Sequence, residues 1–412
     1  MADDRTFVIA GAGLAGTSAA ATLREEGFEG RIVLLGRETE RPYDRPPLSK
    51  GYLLGEAKRD SVFLHEPSWY DEQRIDLRLG TSATAIDPAA RTVSTGDGTS
   101  VRYDALLLAT GSQPRMLNVP GSDLDGVRYL RELAESEALQ QSFRPGTHVI
   151  IAGAGWIGLE VAAAAQQKGA SVVIAEPAEL PLQRVLGDEL GRIYAELHRE
   201  KGVDLRLRHQ IREIKGDGPN GTVSAVVLDD GSQLDADVVV VGVGVIPRVA
   251  LAESAGLAVD GGVLVDAGFR SSDPNIFAAG DIAAIDHPVV GTRVRVEHWA
   301  NALDGGPAAA RSMLGQPVPW DKLPFFFSDQ WDFSMEYAGY VAPGGYDEVV
   351  FRGDPAGREF VAFWTKDGRV LAGMNANVWD VSEDIQALIV SGAKVDRDRL
   401  SDADVAIADL AT

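Results

Sequence analysis

TFVIAGAGLAGTSAAATLREEGFEGRIVLL at residues 6–35 is the stretch that decides the fold class. The apolar run Thr6–Ala10 predicts a buried strand, and the glycine-rich Gly11–Gly16 predicts a tight turn. The alanine-rich stretch Thr17–Glu26 predicts a helix, and the apolar residues Ile32–Leu35 predict a second strand. A strand, a glycine turn, a helix and a strand make the βαβ unit of a parallel sheet, so we expect an α/β fold.

The turn has the spacing of a nucleotide-binding fingerprint. In Gly11-Ala12-Gly13-Leu14-Ala15-Gly16 the first glycine allows the sharp turn, and the second lets a pyrophosphate approach the backbone. The third glycine permits close packing of the helix against the strand. The phosphates then lie at the amino-terminal end of a helix, where the helix dipole favours negative charge.

The same pattern occurs a second time. Val149–Ala152 predicts a strand, and Gly153-Ala154-Gly155-Trp156-Ile157-Gly158 repeats the fingerprint. A helix is expected through Lys168, followed by a strand at Ser171–Ala175. Glu176 ends that strand, at the distance expected for a carboxylate that accepts hydrogen bonds from ribose hydroxyls. Because a carboxylate repels the 2′-phosphate of NADP, NADH is favoured over NADPH at this site.

The ribose contact of the first unit stays open between two residues. Its second strand ends in Gly36-Arg37-Glu38, so the acidic residue comes slightly late in the sequence. Glu38 is the first candidate for the contact to the adenosine ribose, and Arg37 is the second.

Three further segments run from apolar residues into glycine. Leu106–Gly111 and Val239–Gly244 are apolar strands that enter glycine turns, where chains cross between two such domains. Asn275–Asp281 is a strand that ends in Gly280-Asp281 and places a carboxylate where the ribityl hydroxyls of a flavin could be held. Two dinucleotides in one chain have a chemical use, because a nicotinamide delivers hydride to a flavin that faces it.

Composition excludes several classes of function. Asp and Glu total 61 against 39 Lys and Arg, a net charge of −22, which argues against nucleic acid or an anionic membrane as partner. The absence of cysteine excludes a redox dithiol and an iron–sulfur cluster held by the chain's own thiolates. The longest apolar run, Val238–Ile246, is far shorter than the roughly 20 residues that span a bilayer. We therefore expect a cytoplasmic protein without a membrane segment.

The pattern changes towards the C-terminus. After Gln330 the sequence alternates in strands such as Glu359–Thr365 and Arg369–Ala376, followed by a helix near Glu383–Val390. We expect an α/β fold with two Rossmann-like domains of glutathione-reductase type and a C-terminal α+β domain. The predicted boundaries are 1–114 with 248–322 for the first dinucleotide-binding domain, 115–247 for the second and 323–412 for the C-terminal domain.

These motifs together resemble the FAD-dependent NADH:ferredoxin reductases of bacterial oxygenase systems, the family of putidaredoxin reductase and a relative of apoptosis-inducing factor. The most distinctive pieces are RPYDRPPLSK at residues 41–50, the Gly-Asp segment that ends at Asp281, and PFFFSDQ at residues 324–330. The resemblance covers essentially the whole chain.

The resemblance implies a set of cofactor-binding residues. It places FAD in the domain of residues 1–114 and 248–322, with contacts from Gly11 to Gly16, Arg45, Lys50, Ala83, Arg131, Asp281 and the backbone of Trp299. It places NADH in the domain of residues 115–247, with contacts from Gly153 to Gly158 and Glu176. Further candidate cofactor contacts are Ala109, Thr110, Gly111, Gly244, Gly280, Glu297 and His298.

The resemblance also implies how the reacting rings are held. Lys50 and Glu160 would form a catalytic ion pair beside the flavin N5, where it orients the ring and tunes its potential. A helix that begins near Trp299 would direct its amides at the N1 edge of the flavin. Phe327 stands where relatives can carry a tryptophan over the flavin and nicotinamide rings, so stacking is expected to persist.

The expected activity is hydride transfer from NADH to FAD, followed by single-electron transfer to a [2Fe–2S] ferredoxin that feeds an oxygenase. A rubredoxin reductase, a general diaphorase and an apoptosis-inducing-factor-like protein that responds to NADH are the alternatives. A flavin oxidase or peroxidase is disfavoured, since two-electron versions generally use a catalytic cysteine. The six histidines lack metal-ligand spacing, so no metal is expected. Both a monomer and a homodimer are compatible with the sequence.

Overall fold

The computed structural model describes residues 3–217, 221–317 and 319–411. The chain divides into two compact units. The first unit comprises Met1–Asp44, Arg59–Gln113 and Ile246–Phe325, and the second comprises Arg45–Lys58, Pro114–Val245 and Phe326–Thr412.

The strands, in chain order, are β1 Thr6–Ala10, β2 Arg31–Leu35, β3 Ile75–Arg78, β4 Ala83–Asp87, β5 Thr92–Thr95, β6 Ser100–Arg102, β7 Ala105–Leu108, β8 Ser112–Pro114, β9 Val127–Arg128, β10 His148–Ala152, β11 Ser171–Glu176, β12 Asp204–Leu207, β13 Ile211–Gly216, β14 Val223–Leu228, β15 Gln233–Asp235, β16 Val238–Val241, β17 Val245–Pro247, β18 Val263–Val265, β19 Ile276–Ala278, β20 Ala283–His287, β21 Thr292–Arg295, β22 Phe325–Gln330, β23 Phe333–Gly339, β24 Glu348–Asp354, β25 Glu359–Lys366 and β26 Arg369–Ala376. The α-helices are α1 Leu14–Glu25, α2 Gly51–Leu54, α3 Pro67–Glu72, α4 Leu133–Ser142, α5 Trp156–Gln167, α6 Gln183–Leu186, α7 Asp188–Glu200, α8 Ala250–Ser254, α9 Trp299–Met313, α10 Ser382–Ser391 and α11 Arg397–Ser401.

A five-stranded parallel sheet in the order β19-β7-β1-β2-β3 organises the first unit. Phe7 pairs with Ile32 of β2 on one side and with Ala105 of β7 on the other, so β1 lies between them. Four of the five residues of β1 are buried, as expected for a parallel strand that is covered on both faces. The order of the strands reverses at β1, and its carboxyl end is therefore the place where such sheets bind ligands.

The second unit contains an equivalent parallel sheet in the order β12-β11-β10-β16-β9. Here β10 lies between its partners, since Val149 pairs with Val172 of β11 and with Val238 of β16. The same unit holds an antiparallel sheet in the order β22-β23-β26-β25-β24, and α10 packs on it. The predicted α/β fold class is confirmed, while the three domain boundaries remain a prediction.

The first helix starts earlier than its sequence predicted. The expected turn ran through Gly16, but α1 begins at Leu14, and the amide of Thr17 already donates to the carbonyl of Gly13 at 2.9 Å. Gly13 is the extended residue that precedes the helix, with φ −80° and ψ −172°. The last residues of the fingerprint therefore form the first helical turn. The second fingerprint does the same, because α5 begins at Trp156 after an extended Gly155.

Candidate functional site

The three glycines of the first fingerprint meet three different environments. A Cβ on Gly11, which has φ +123°, would lie 2.1 Å from the carbonyl oxygen of Ala109. A Cβ on Gly16 would lie 1.9 Å from the carbonyl oxygen of Gly11. A Cβ on Gly13 would meet no described atom within 4 Å. The outer glycines are thus required by packing, and the middle one borders open space where a pyrophosphate can reach the backbone.

The helix behind this open space presents an amino terminus that suits an anion. Within the described ranges, no side chain caps the first turn of α1. That turn, starting at Leu14, also contains no acidic residue. Its amides and its dipole are therefore available to a phosphate, and the residues fit a dinucleotide.

The second fingerprint repeats this geometry in the second unit. A Cβ on Gly153, which has φ +97°, would lie 2.6 Å from the carbonyl oxygen of Gly242, and one on Gly158 would lie 2.1 Å from that of Gly153. For a Cβ on Gly155, the nearest atom would be the carbonyl oxygen of Gly242 at 4.0 Å. The first turn of α5 has no acidic residue and, in the part of the chain described, no side-chain cap. The chain therefore contains two cradles of equal construction.

Glu176 lies beside the second cradle, at the end of β11 as predicted. Its two carboxylate oxygens accept hydrogen bonds from the amides of Ala154, at 2.7 Å, and of Ala178, at 2.8 Å. Each carboxylate oxygen keeps further lone-pair capacity, so the carboxylate is fixed in place and still able to accept from two hydroxyls.

The Gly-Asp segment lies next to the first fingerprint. A Cβ on Gly280, with φ +74°, would lie 3.2 Å from the Cβ of Ala15, and Asp281 is 9% exposed. Helix α9 packs on α1 so closely that a Cβ on Gly306 would lie 2.2 Å from the carbonyl oxygen of Ala15. The structure therefore brings Asp281 and α9 together with the glycine fingerprint within one unit.

The amino terminus of α9 makes a partly buried polar contact. The indole Nε1 of Trp299 donates to Asp44 at 2.8 Å, and burial raises the pKa of that carboxyl. His298 precedes the helix in extended conformation, next to Glu297, and burial lowers its pKa to about 4. The predicted start of a helix near Trp299 is confirmed, while its place at the N1 edge of the flavin stays a prediction.

The residues at the end of β2 do not settle the ribose contact. The carboxylate of Glu38 accepts a hydrogen bond from the hydroxyl of Tyr43, and its carbonyl accepts from Gly80 at 2.9 Å. Arg37 follows Gly36 directly after the strand. Ala83 is the first residue of β4 in the same unit. Their contacts with a nucleotide remain predictions.

A buried ion pair occupies the second unit, as the family resemblance implied. The Nζ of Lys50 lies 2.8 Å from Oε1 of Glu160, and the two side chains are 16% and 4% exposed. Glu160 also accepts from the hydroxyls of Ser49, at 2.5 Å, and Ser328, at 2.7 Å. The predicted pair is confirmed, and its place beside the flavin stays a prediction. The two serine donors were not identified from the sequence.

Of the other predicted site residues, Phe327 lies near this pair, and the remaining ones make separate contacts. The Nζ of Lys50 lies 5.5 Å from the ring centroid of Phe327, within the range of a cation–π contact. Arg45 donates to the carbonyl of Arg131, whose amide donates to Glu135 at 2.7 Å. Gly244 accepts from the amide of Arg115 at 2.9 Å. In the first unit Ala109, Thr110 and Gly111 follow β7 beside Gly11.

Comparison with known families identifies the chain. Residues 5–306 match the family model described as pyridine nucleotide-disulphide oxidoreductase, and residues 325–411 match the reductase C-terminal model. The chain belongs to the pyridine nucleotide-disulphide oxidoreductase family. It is thus an oxidoreductase whose cofactors are a flavin and a nicotinamide nucleotide, although it lacks the cysteines that the family name suggests.

Similar proteins cover nearly the whole chain. The ferredoxin–NAD(+) reductase component of the anthranilate 1,2-dioxygenase system of Burkholderia cepacia is 40% identical over 402 residues, 97% of this chain and 98% of that protein. The rubredoxin-NAD(+) reductase of Pseudomonas putida is 38% identical over 344 residues, 84% of this chain and 88% of that protein. The structure of the covalent putidaredoxin reductase–putidaredoxin complex matches with a TM-score of 0.93 and 36% identity, covering 99% of this chain and 98% of that one.

Among the helices of residues 3–217, 221–317 and 319–411, none combines the length and the apolar character that crossing a membrane requires.

Proposed function

We propose that the chain is an FAD-containing NADH:ferredoxin reductase that supplies electrons to the [2Fe–2S] ferredoxin of an oxygenase system. The observation that carries the proposal is the pair of equal nucleotide cradles, around Gly13 and around Gly155, in one chain. The comparisons support the choice of acceptor, since a relative that matches along its whole length is named as such a reductase component. When bound, FAD accepts hydride from NADH and releases the electrons singly.

Each set of residues has a part in this activity. The glycines at 11, 13 and 16 and the amino terminus of α1 would hold the FAD pyrophosphate, and Asp281 would hold hydroxyls of its ribityl chain. The glycines at 153, 155 and 158 and α5 would hold the pyrophosphate of NADH. Lys50, kept in place by Glu160, presents a fixed positive charge to the reacting centre, where electrostatic stabilisation is most effective.

NADH rather than NADPH is the proposed donor. The two amide hydrogen bonds from Ala154 and Ala178 fix the carboxylate of Glu176 next to the second cradle. A fixed carboxylate accepts from ribose hydroxyls and repels a 2′-phosphate. The nucleotide preference follows from that charge.

The acceptor must be a separate protein if it carries a thiolate-bound cluster. The chain has no cysteine and therefore supplies no thiolate to an iron–sulfur site. Ferredoxins of this kind are usually acidic, as is this chain with its net charge of −22, so docking requires a locally positive surface. Arg311 is one candidate for that surface, although its guanidinium lies 2.7 Å from the carboxylate of Glu26.

The test is NADH-driven reduction of cytochrome c by the flavin-loaded protein, with and without a [2Fe–2S] ferredoxin or a rubredoxin. The proposal expects a rate that rises at least about tenfold with the ferredoxin and much less with the rubredoxin. Equal rates without any carrier would identify a general diaphorase. A larger effect of rubredoxin would identify the second candidate, which the similarity to a rubredoxin-NAD(+) reductase favours.

A further inference from the structure

One face of β22 carries buried polar side chains in an apolar core. Along this strand Phe326, Ser328 and Gln330 are 8%, 1% and 1% exposed, and the residues between them are less buried. The alternation follows from the two-residue period of a strand, which turns these three side chains to one face. Two polar residues at such positions require internal hydrogen-bond partners.

Those partners are linked by a continuous series of hydrogen bonds within the second unit, here called the hydrogen-bond chain. Ser328 Oγ donates to Glu160 at 2.7 Å, and Gln330 Nε2 donates to Ser328 Oγ at 3.3 Å. Gln330 Oε1 lies 2.8 Å from Nε2 of His198, which comes from the last turn of α7 and is 0% exposed. The hydrogen-bond chain thus extends from the ion pair to a fully buried histidine.

The hydrogen bonds of the hydrogen-bond chain all run in one direction from donor to acceptor. The donor and acceptor groups of its side chains determine this direction. An amide oxygen only accepts, so His198 must carry its proton on Nε2 to donate to Gln330. Nδ1 of His198 has no hydrogen-bond partner among the described residues, which suits its role as the unprotonated nitrogen. Gln330 then donates to Ser328, whose own proton is free to be donated to Glu160. Every proton of the chain is directed towards the carboxylate.

We propose that Ser328, Gln330 and His198 are positioning residues that hold the Glu160 carboxylate against Lys50 through this directed chain. With Ser49 and Lys50 included, Glu160 accepts from three donors, which fixes the orientation of both its oxygens. Linked hydrogen bonds in a low-dielectric interior polarise one another, so the distant His198 contributes to the strength of the contact at Glu160. The inference rests on the proposed function only in that Lys50 is taken to serve the reacting centre.

The first test determines the tautomer of His198. Nitrogen-15 NMR of the flavin-loaded protein, with the His198→Gln variant used for assignment, is expected to show a neutral ring protonated on Nε2. A ring protonated on Nδ1 would mean that Gln330 is turned the other way, and the directed chain would be refuted. This readout does not depend on turnover.

The second test uses substitutions that interrupt the hydrogen-bond chain at two positions, and one substitution that keeps it. Gln330→Met and Ser328→Ala are expected to lower the rate constant for flavin reduction by NADH by about three- to tenfold, an effect on the scale of one net hydrogen bond. Ser328→Thr keeps the hydroxyl and should restore most of the rate. The KM for NADH should stay nearly constant, because none of these side chains belongs to the nucleotide cradle.

Tyr103→Phe is the matched control for these variants. Tyr103 is 1% exposed in the first unit, and its hydroxyl has no hydrogen-bond partner in the part of the chain that the structure describes. Its rate should equal that of the wild type. Wild-type rates in folded Gln330→Met and Ser328→Ala would overturn the inference. Failure to reduce ferredoxin, with flavin reduction still sensitive to these variants, would overturn the proposed function alone.

Discussion

Lys50 and Glu160 form an ion pair of 2.8 Å that is largely withdrawn from water, with side chains 16% and 4% exposed. Removal of Lys50 would leave a buried carboxylate with two serine donors and no counter-charge. We expect Lys50→Met to lower the free energy of unfolding by about 3 kcal/mol. The double variant Lys50→Met/Glu160→Leu should lose less than the single one, because no uncompensated charge stays buried.

Urea unfolding followed by circular dichroism measures both effects. The exposed pair Arg192–Asp188, at 3.3 Å and with side chains 58% and 49% exposed, supplies the control. Arg192→Met should cost less than about 1 kcal/mol. An equal cost for the exposed and the buried pair would contradict the role assigned to burial.

Substitutions of two glycines in the first fingerprint should affect different properties, one of them flavin binding and the other stability. Gly13 has a φ of −80° and open space around its missing Cβ, so Gly13→Ala should fold normally and bind FAD at least about tenfold more weakly. Gly16→Ala forces a Cβ to within 1.9 Å of a carbonyl oxygen and should destabilise the unit by about 2 kcal/mol or more.

Flavin retained after dialysis and the thermal unfolding of the apoprotein report the two effects separately. Gly96→Ala is the matched control, because the nearest atoms to its Cβ would be 3.8 Å away and no fingerprint includes it. Undiminished flavin in Gly13→Ala would show that the pyrophosphate does not approach this glycine.

Glu176 should determine nucleotide binding without affecting the chemical step. We expect Glu176→Ala to raise the KM for NADH by about ten- to a hundredfold, since hydrogen bonds to a charged group are worth about 1.5 to 3 kcal/mol. The kcat should hardly change, and the preference for NADH over NADPH should shrink. Steady-state kinetics with both nucleotides measures these quantities. Glu196→Ala, an exposed residue of α7, should leave them unchanged.

One fully buried histidine, His198, and one partly buried histidine, His298, should make the protein sensitive to acid. Burial lowers the pKa of His198 and of His298 to about 4, from 6.5. Between these values the unfolded chain binds more protons than the folded chain, so stability falls as the pH drops from 6.5 towards 4. Each histidine accounts for up to about 3 kcal/mol of this loss.

Unfolding in urea at several pH values between 7 and 4.5 tests this prediction. His198→Gln removes one titrating group and should flatten the decline. A decline as steep as that of the wild type would contradict the assignment to His198.

Much of the fold was predictable because its signals are local. The roles of Gly11, Gly13 and Gly16 depend on backbone geometry within one turn, and Glu176 is placed by the length of one βαβ unit. The first residues of α1 were predicted wrongly as turn, since glycine and leucine after an extended residue give no sign of where helical dihedrals begin.

The surroundings of Glu160 could not be predicted in this way. Ser49, Ser328 and His198 come from three distant segments, and none has a spacing that distinguishes it from a surface residue. The single available signal was the alternation in β22, where serine and glutamine occupy the face of a buried phenylalanine. Only the folded chain shows that Ser328 donates to a carboxylate and that Gln330 links Ser328 to a buried histidine.

The donors to Glu160 come in part from the strand that opens the C-terminal sheet. A chimaera that kept both fingerprints but took residues 326–411 from a relative would carry that relative's side chains at positions 328 and 330. Such an exchange would replace Ser328, a direct hydrogen-bond donor to Glu160, and Gln330, which donates to Ser328. Recombination within the family could therefore change the hydrogen bonds to the ion pair without changing either nucleotide cradle.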